Sequence, residues 1–190
     1  MPGKLILFCG PSGSGKTTIV QHLLKNNSRL AFSVSATNRP KRGMETDGID
    51  YHFFSVEEFK EKIKRDEFIE FEEVYKDRFY GTLKEEVEKI WKKDKVVVFD
   101  VDVEGGLKIK KKFGDKLLSV FVMPPSVDDL HKRLDARETE TAESLKARIA
   151  KSEHEMTFAF RFDKLLINDD KEKACKEAQD LVDEFLKEIK

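Results

Sequence analysis

"FCGPSGSGKTTI", residues 8–19, is the stretch that decides the fold. The apolar run "KLILFCG" (4–10) ends in glycine and reads as a buried parallel strand. "KTTIVQHLLKNN" (16–27) follows, with Ile19, Leu23 and Leu24 at helical spacing. Between them "GPSGSGKT" (10–17) matches G-x-x-x-x-G-K-[ST], in the strand-to-helix context that motif needs. Gly10, Gly13 and Gly15 let the main chain turn tightly and aim successive N–H groups inward, so a polyphosphate can rest on those donors and on the helix N-terminus. Lys16 adds a point charge for the β- and γ-phosphates, and Thr17 offers a hydroxyl to Mg²⁺. The phosphate-binding set is therefore Gly10, Pro11, Ser12, Gly13, Ser14, Gly15, Lys16, Thr17 and Thr18. A plain glycine-serine turn is the alternative; the flanking strand and helix speak against it.

Working outward, apolar strands and amphipathic helices alternate. "LAFSVS" (30–35) reads as a second strand, and "ATNRPKRGMETDGID" (36–50) as a charged loop. From 50 to 82 the character changes. "DYHFF" and "EFIEFEEVYKDRFYGT" alternate aromatic and polar residues, as strands with one exposed face do. "SVEEFKEKIKRDE" between them opens with Ser55 and Glu58 at capping-box spacing. This is expected to be a small inserted lobe. "TLKEEVEKIWKKD" reads as a helix, "KVVVFDVD" as a buried strand ending in acid, and "EGGLKIKKKFG" as a helix ended by Gly114. "KLLSVFVMPPS" is a strand stopped by prolines, residues 126–156 a pair of charged surface helices, "DKLLIND" a last strand and "KACKEAQDLVDEFLKEIK" a last helix. The expected class is α/β: a phosphate-loop three-layer fold with a central parallel sheet, an inserted β-rich lobe and a helical lid.

The 190 residues suit one globular domain. Its expected parts are a core (1–36, 83–126 and 160–190), a lobe (about 37–82) and a lid (about 127–159). With 36 basic and 37 acidic residues, global charge argues for neither nucleic acid nor membrane as partner. Two cysteines imply a reducing compartment, and Cys9 reads as a small core residue. No apolar run approaches the roughly 20 residues of a membrane-spanning helix, nor does the N-terminus carry a convincing signal peptide, so a cytoplasmic location is expected.

A second site is needed if a phosphoryl group is to be transferred. A GTPase reading fails for want of N-K-x-D, although "DVEG" (102–105) imitates D-x-x-G. A small-molecule kinase fits better. Arg39 and Arg42 lie in a glycine-proline loop followed by Tyr51, a good grip for a phosphate because a guanidinium fork matches it in bidentate fashion; a solvated basic loop is the alternative. Glu70, Glu72 and Glu73 would ordinarily make a solvated strand face, with Glu70 opposite Ile69 and Phe71. Asp100 and Asp102 close a buried strand where ligands bind in such sheets, and are expected to hold Mg²⁺ through water, to orient Lys16 or the acceptor, or to cap a helix. Arg133 and Arg137, four apart, share a helical face. The four histidines are scattered and make no metal site.

Taken together, "GPSGSGKT", "SVSATNR", "GIDYHFFS", "FIEFEEVYKDRFYGT", "FDVDVEGG", "PPSVDDLHKRLDARETET" and "LLINDD" resemble the guanylate kinase family over nearly the whole chain. The resemblance implies Mg²⁺-dependent transfer of the ATP γ-phosphoryl group to GMP, with dGMP as a further acceptor, in purine nucleotide metabolism and GMP recycling. It assigns the GMP phosphate to Arg39, Arg42, Tyr51 and Tyr80. The base falls to Ser35, Glu70 and Thr82, with Asp100 near it. Guanine presents N1–H and N2–H donors side by side, which one carboxylate can accept. Adenine would leave that carboxylate unpaired. Thr82 is expected to donate to O6. Lys16, Arg39, Asp100, Arg133, Arg137 and Arg148 are the implied catalytic residues, and Asn168 is implied beside the adenine. The expected partners are ATP and GMP, with no nucleic acid or membrane, on a monomer or weak homo-oligomer. The binding-only scaffold domains that resemble this family tend to have a damaged phosphate loop, whereas this one is intact. The chain departs from the common pattern at Asn38, Met44, Phe79 and Glu138, and its "KDRFYG" is one residue longer.

Overall fold

The computed structural model describes residues 3–135 and 142–187. Five strands form the central sheet: β1 (Leu5–Cys9), β2 (Leu30–Phe32), β7 (Val96–Asp100), β8 (Leu117–Met123) and β9 (Lys164–Ile167). Their order is β2-β7-β1-β8-β9, and every pairing is parallel. Seven helices are described: α1 (Lys16–Asn26), α2 (Val56–Lys64), α3 (Lys84–Trp91), α4 (Val103–Phe113), α5 (Val127–Asp135), α6 (Ala142–Met156) and α7 (Lys171–Lys187).

The continuous apolar runs have a simple cause. Ile6, Phe8, Val98 and Val120 pack on one face against Ile19, Leu23, Ala178 and Val182 of α1 and α7. Leu5, Leu7, Cys9 and Phe99 pack on the other, against Val87 of α3 and Ile109 of α4. Covered on both sides, these strands have no polar face to alternate. Parallel connections put every loop that follows a strand at one edge of the sheet, where β1, β7 and β8 end together.

A second, four-stranded sheet carries the lobe, in the order β4-β3-β6-β5, with β3 (Ala36–Thr37), β4 (His52–Phe53), β5 (Phe68–Tyr75) and β6 (Arg78–Leu83). Its own core is Phe59, Phe68, Phe79 and Leu83, with Phe59 and Phe68 stacked at 4.5 Å. Ser55 caps α2 as its spacing predicts: its side chain accepts from Glu58 N, and Glu58 answers on Ser55 N at 2.7 Å.

The expected strand over 30–35 is shorter. It leaves the central sheet after Phe32, and the chain joins the second sheet at Ala36. Ser33 N still bonds Val98 O, so residues 33–35 are the crossing between two sheets that no single periodicity describes.

Candidate functional site

The phosphate loop is built by its glycines. Gly10 has φ +143°, and a Cβ there would stand 2.3 Å from Val122 O. Gly15 has φ +94°, and its Cβ would stand 2.2 Å from Asn168 Nδ2. Neither position admits a side chain. Lys16 Nζ folds back onto Gly10 O (2.8 Å) and Pro11 O (3.0 Å), so the ammonium is held inside the ring of main-chain groups. Thr17 Oγ1 donates to Asp100 Oδ2 at 2.7 Å. A hydroxyl and a carboxylate side by side beyond the loop are the hard oxygen ligands that suit Mg²⁺. Among the described residues no group of three His, Cys, Asp or Glu could hold a metal, so the ion would lean on the oxygens of a bound phosphate.

The loop opens onto a cleft of about 940 Å³. Gly10, Ser12, Gly13, Gly15, Lys16, Thr17 and Thr18 line one side. Ser35, Arg42, Tyr51, Glu70 and Tyr80 line it from the lobe, with Asp100 and Asp102 at the floor. Arg148 enters from the lid, donating to Ser12 Oγ at 2.8 Å. Residues far apart in the chain thus face one space.

Glu70 is the feature that strand alternation misplaces. Only 7% of it is exposed, although Phe71 beside it is 37% exposed. The cause is a register step: Phe68 pairs with Leu83 but Glu70 pairs with Thr82, leaving Ile69 as an extra residue on β5. Such a bulge reverses which face follows, so Phe68 enters the lobe core and Glu70 the cleft. Thr82 Oγ1 donates to Glu70 Oε1 at 2.7 Å. Its one hydroxyl hydrogen being engaged, Thr82 does not donate to a base O6 in this arrangement; it orients the carboxylate instead. Across the cleft, Gly105 of α4 stands so close that a Cβ would lie 3.0 Å from Glu70 Oε2. This burial pushes the Glu70 carboxyl up to about 7. The bond from Thr82 works the other way, the Asp102 charge adds to the rise, Lys108 opposes it and Glu72 adds a little more.

Arg39 is buried and does not line the cleft in this arrangement. Its guanidinium grips Glu45 in bidentate fashion, both contacts at 2.6 Å. Arg133 points behind the loop, donating to Asn168 O at 3.0 Å, and Asn168 Nδ2 donates to Ser14 O at 2.7 Å. Asn168 is buried there and, with Pro11, Ser14, Arg133 and Thr82, lies outside the cleft wall. Arg137 and Glu138 lie outside the described residues. Asp102 takes the helix-capping role: it is the N-cap of α4 and accepts from Gly105 N at 3.0 Å.

Lys151 and Lys108 had no sequence signal. Lys151 of α6 stands 3.6 Å from both Asp102 and Glu155. Burial opposes its charge, but Asp102 and Glu155 more than offset this and raise its pKa. Glu72 pairs with Lys108 of α4, and Lys108 also donates to Phe71 O at 2.8 Å, fastening the lobe to the core. The longer hairpin is accommodated by a second register step between Glu73 and Tyr75, which leaves Val74 extra. Asn38, itself a departure, secures that turn: it donates to Asp77 O and accepts from Phe79 N, both at 2.7 Å. The two departures are one adjustment.

Comparison with known proteins agrees with this geometry. The family model described as guanylate kinase matches residues 2–185. A guanylate kinase of Bacteroides thetaiotaomicron is 55% identical over 186 residues, covering 98% of this chain and 91% of that one. A guanylate kinase of Salinibacter ruber is 46% identical, covering 98% and 99%. The crystal structure of guanylate kinase from Anaplasma phagocytophilum superposes with a TM-score of 0.79 at 26% identity, covering 99% of this chain and 87% of that one. A phosphate loop and a buried carboxylate facing one cleft, in a chain similar to these along its length, place the protein: it belongs to the guanylate kinase family.

Proposed function

We propose that the protein transfers the γ-phosphoryl group of ATP to GMP, and to dGMP, giving ADP and GDP in cytoplasmic purine nucleotide metabolism and GMP recycling. The single observation that carries this reading is Glu70: a buried, Thr82-oriented carboxylate on the wall of the cleft that the phosphate loop opens into. A purine offering two adjacent N–H donors satisfies both its oxygens. One offering an acceptor at the same place leaves a buried carboxylate unpaired, which costs several powers of ten in affinity.

The donor's phosphates take the main-chain N–H groups of residues 10–18, and Lys16 exchanges its two carbonyl partners for phosphate oxygens. Thr17 and Asp100 are the residues that would hold Mg²⁺, which when bound neutralises charge on those oxygens. Asn168 supports the loop from behind through Ser14 and borders the adenine. Ser35, Glu70 and Thr82 position the guanine; Arg39, Arg42, Tyr51 and Tyr80 hold the acceptor phosphate, with Asp100 between the two substrates. An oxygen of that phosphate attacks the γ-phosphorus in line. The new P–O bond forms as the bond to the β–γ bridging oxygen breaks, and ADP departs. Lys16 and Arg148, which line the cleft, neutralise the charge spread over the transferring group, joined by Arg39, Arg133 and Arg137 when the lobe and lid close. The attacking oxygen is already anionic, so no general base is required.

The lobe over about 37–82 and the lid over about 127–159 are the parts that close on the core (1–36, 83–126, 160–190) and exclude water. The test is ADP formation with GMP, dGMP, AMP, CMP and UMP as acceptors, on the wild type and Glu70→Ala. GMP and dGMP should be phosphorylated by the wild type and the other three left untouched. Unchanged kcat/KM for GMP in Glu70→Ala would refute the assignment of the base to this carboxylate.

A further inference from the structure

Glu45 lies in the loop between β3 and β4. It is one-fifth exposed, whereas the Arg39 side chain that it grips is 5% exposed. Its two oxygens accept from Arg39 Nη1 and Nη2 at 2.6 Å each, and Oε2 also accepts from Arg42 N at 2.8 Å. One carboxylate therefore ties together the two arginines that share the loop. The geometry is that of a fork held end-on, and it stays charged: the bond from Arg39 holds the Glu45 carboxyl at about 2.

The bonds on that guanidinium define what it has left. Nη1 donates to Glu45 Oε2 and to Pro40 O (2.9 Å), and Nη2 donates once, to Glu45 Oε1. An arginine has five N–H groups. The two not taken by Glu45 or Pro40 are Nε–H and the outer Nη2–H, which lie parallel along one edge of the plane, the edge left for the Tyr51 phenol, a further hydrogen-bond partner of this guanidinium. That edge is a second bidentate fork. The plane itself is steadied by Tyr51, whose ring centre lies 4.8 Å from Cζ, and by Phe53 at 5.6 Å.

We infer that Glu45 is a positioning residue: by holding the end of the Arg39 guanidinium and the main chain of Arg42, it presents the side edge of Arg39 to the acceptor's phosphate. The inference rests on the proposal that Arg39 binds that phosphate. It also excludes a different role, in which Glu45 blocks the site by imitating the phosphate, because Glu45 occupies the end of the guanidinium and not the side edge that Arg39 shares with Tyr51. A bound phosphate and Glu45 hold Arg39 at the same time, on adjacent edges.

The experiment compares wild type, Glu45→Gln, Arg39→Met and the double variant, with GMP and guanosine as probes followed by chemical-shift titration. Guanosine presents the same base without the phosphate. Glu45→Gln should weaken GMP about tenfold, the loss of one well-held charged contact, and leave guanosine unchanged. The double variant should bind GMP no worse than Arg39→Met, because Glu45 acts through Arg39. Equal losses for GMP and guanosine, an additive double variant, or unchanged GMP affinity in Glu45→Gln would each overturn the inference. Tighter GMP binding in Glu45→Gln would overturn it in favour of a blocking role. Unchanged GMP affinity in Arg39→Met would instead bring down the phosphate-site proposal itself.

Discussion

Replacing Glu70 by glutamine removes the titratable group from the position proposed to read the base and keeps its size. Burial between Thr82 and the start of α4 holds the carboxyl at about 7. Only the ionised form has an acceptor free for each of guanine's two donors, so the affinity for GMP is scaled by the ionised fraction. That fraction is about one-eleventh at pH 6 and ten-elevenths at pH 8, so wild-type affinity should fall about tenfold between pH 8 and pH 6. The phosphate of GMP also titrates near 6. Its contribution is common to wild type and Glu70→Gln, so the ratio of the two pH dependences isolates Glu70. Calorimetry in buffers of different ionisation heat should show the wild type releasing close to one more proton than the variant at pH 6, and almost none at pH 8. Stability carries the matching sign. The folded value lies above the ordinary 4.5, so the contribution of the neutral acid is fully present below pH 4.5 and is lost as pH rises through about 7. The loss is on the order of 3 kcal/mol, and Glu70→Gln escapes it. Equal pH dependences of GMP affinity in the two proteins would refute the burial argument.

Gly15→Ala places a methyl group 2.2 Å from Asn168 Nδ2 at a left-handed φ, costing about 1–2 kcal/mol in backbone strain beyond the clash. Thermal melts should show a lower Tm and no upward shift with ATP. Ser55→Ala removes the hydroxyl that accepts from Glu58 N, one of the two bonds of the α2 capping box, and should lower stability by about 1 kcal/mol in urea, with the phosphoryl-transfer rate unchanged. Arg148→Met takes away a lid cation that reaches the phosphate loop at Ser12. It should reduce kcat about 10²- to 10³-fold with little change in KM for GMP, as steady-state kinetics would show.

Much of the architecture was legible because its causes are local. A doubly covered parallel strand needs an unbroken apolar run, and "KLILFCG", "KVVVFD" and "KLLSVFVM" each supply one. The α2 cap needs only Ser55 and Glu58 three residues apart, and it formed as written. Alternation failed along β5, where two register steps depend on how β6 pairs with it and leave no mark in the β5 residues themselves. The crossing at 33–35 was hidden for the same reason: two sheets compete for one short stretch.

The candidate site divides along the same line. The sequence alone determined the phosphate loop, because its ligands are consecutive main-chain groups and the glycines that free them are written at fixed spacing. It also offered the arginines, the tyrosines and the acids proposed above for a second substrate. Tertiary structure alone decided which of three neighbouring glutamates is buried, that Arg39 is held by Glu45, that Asp102 caps α4 and that Lys151 comes to it from the lid. Burial and charge pairing are set by whatever segment arrives from elsewhere in the chain. For Glu70 that segment is the first turn of α4, and no pattern within β5 records its approach.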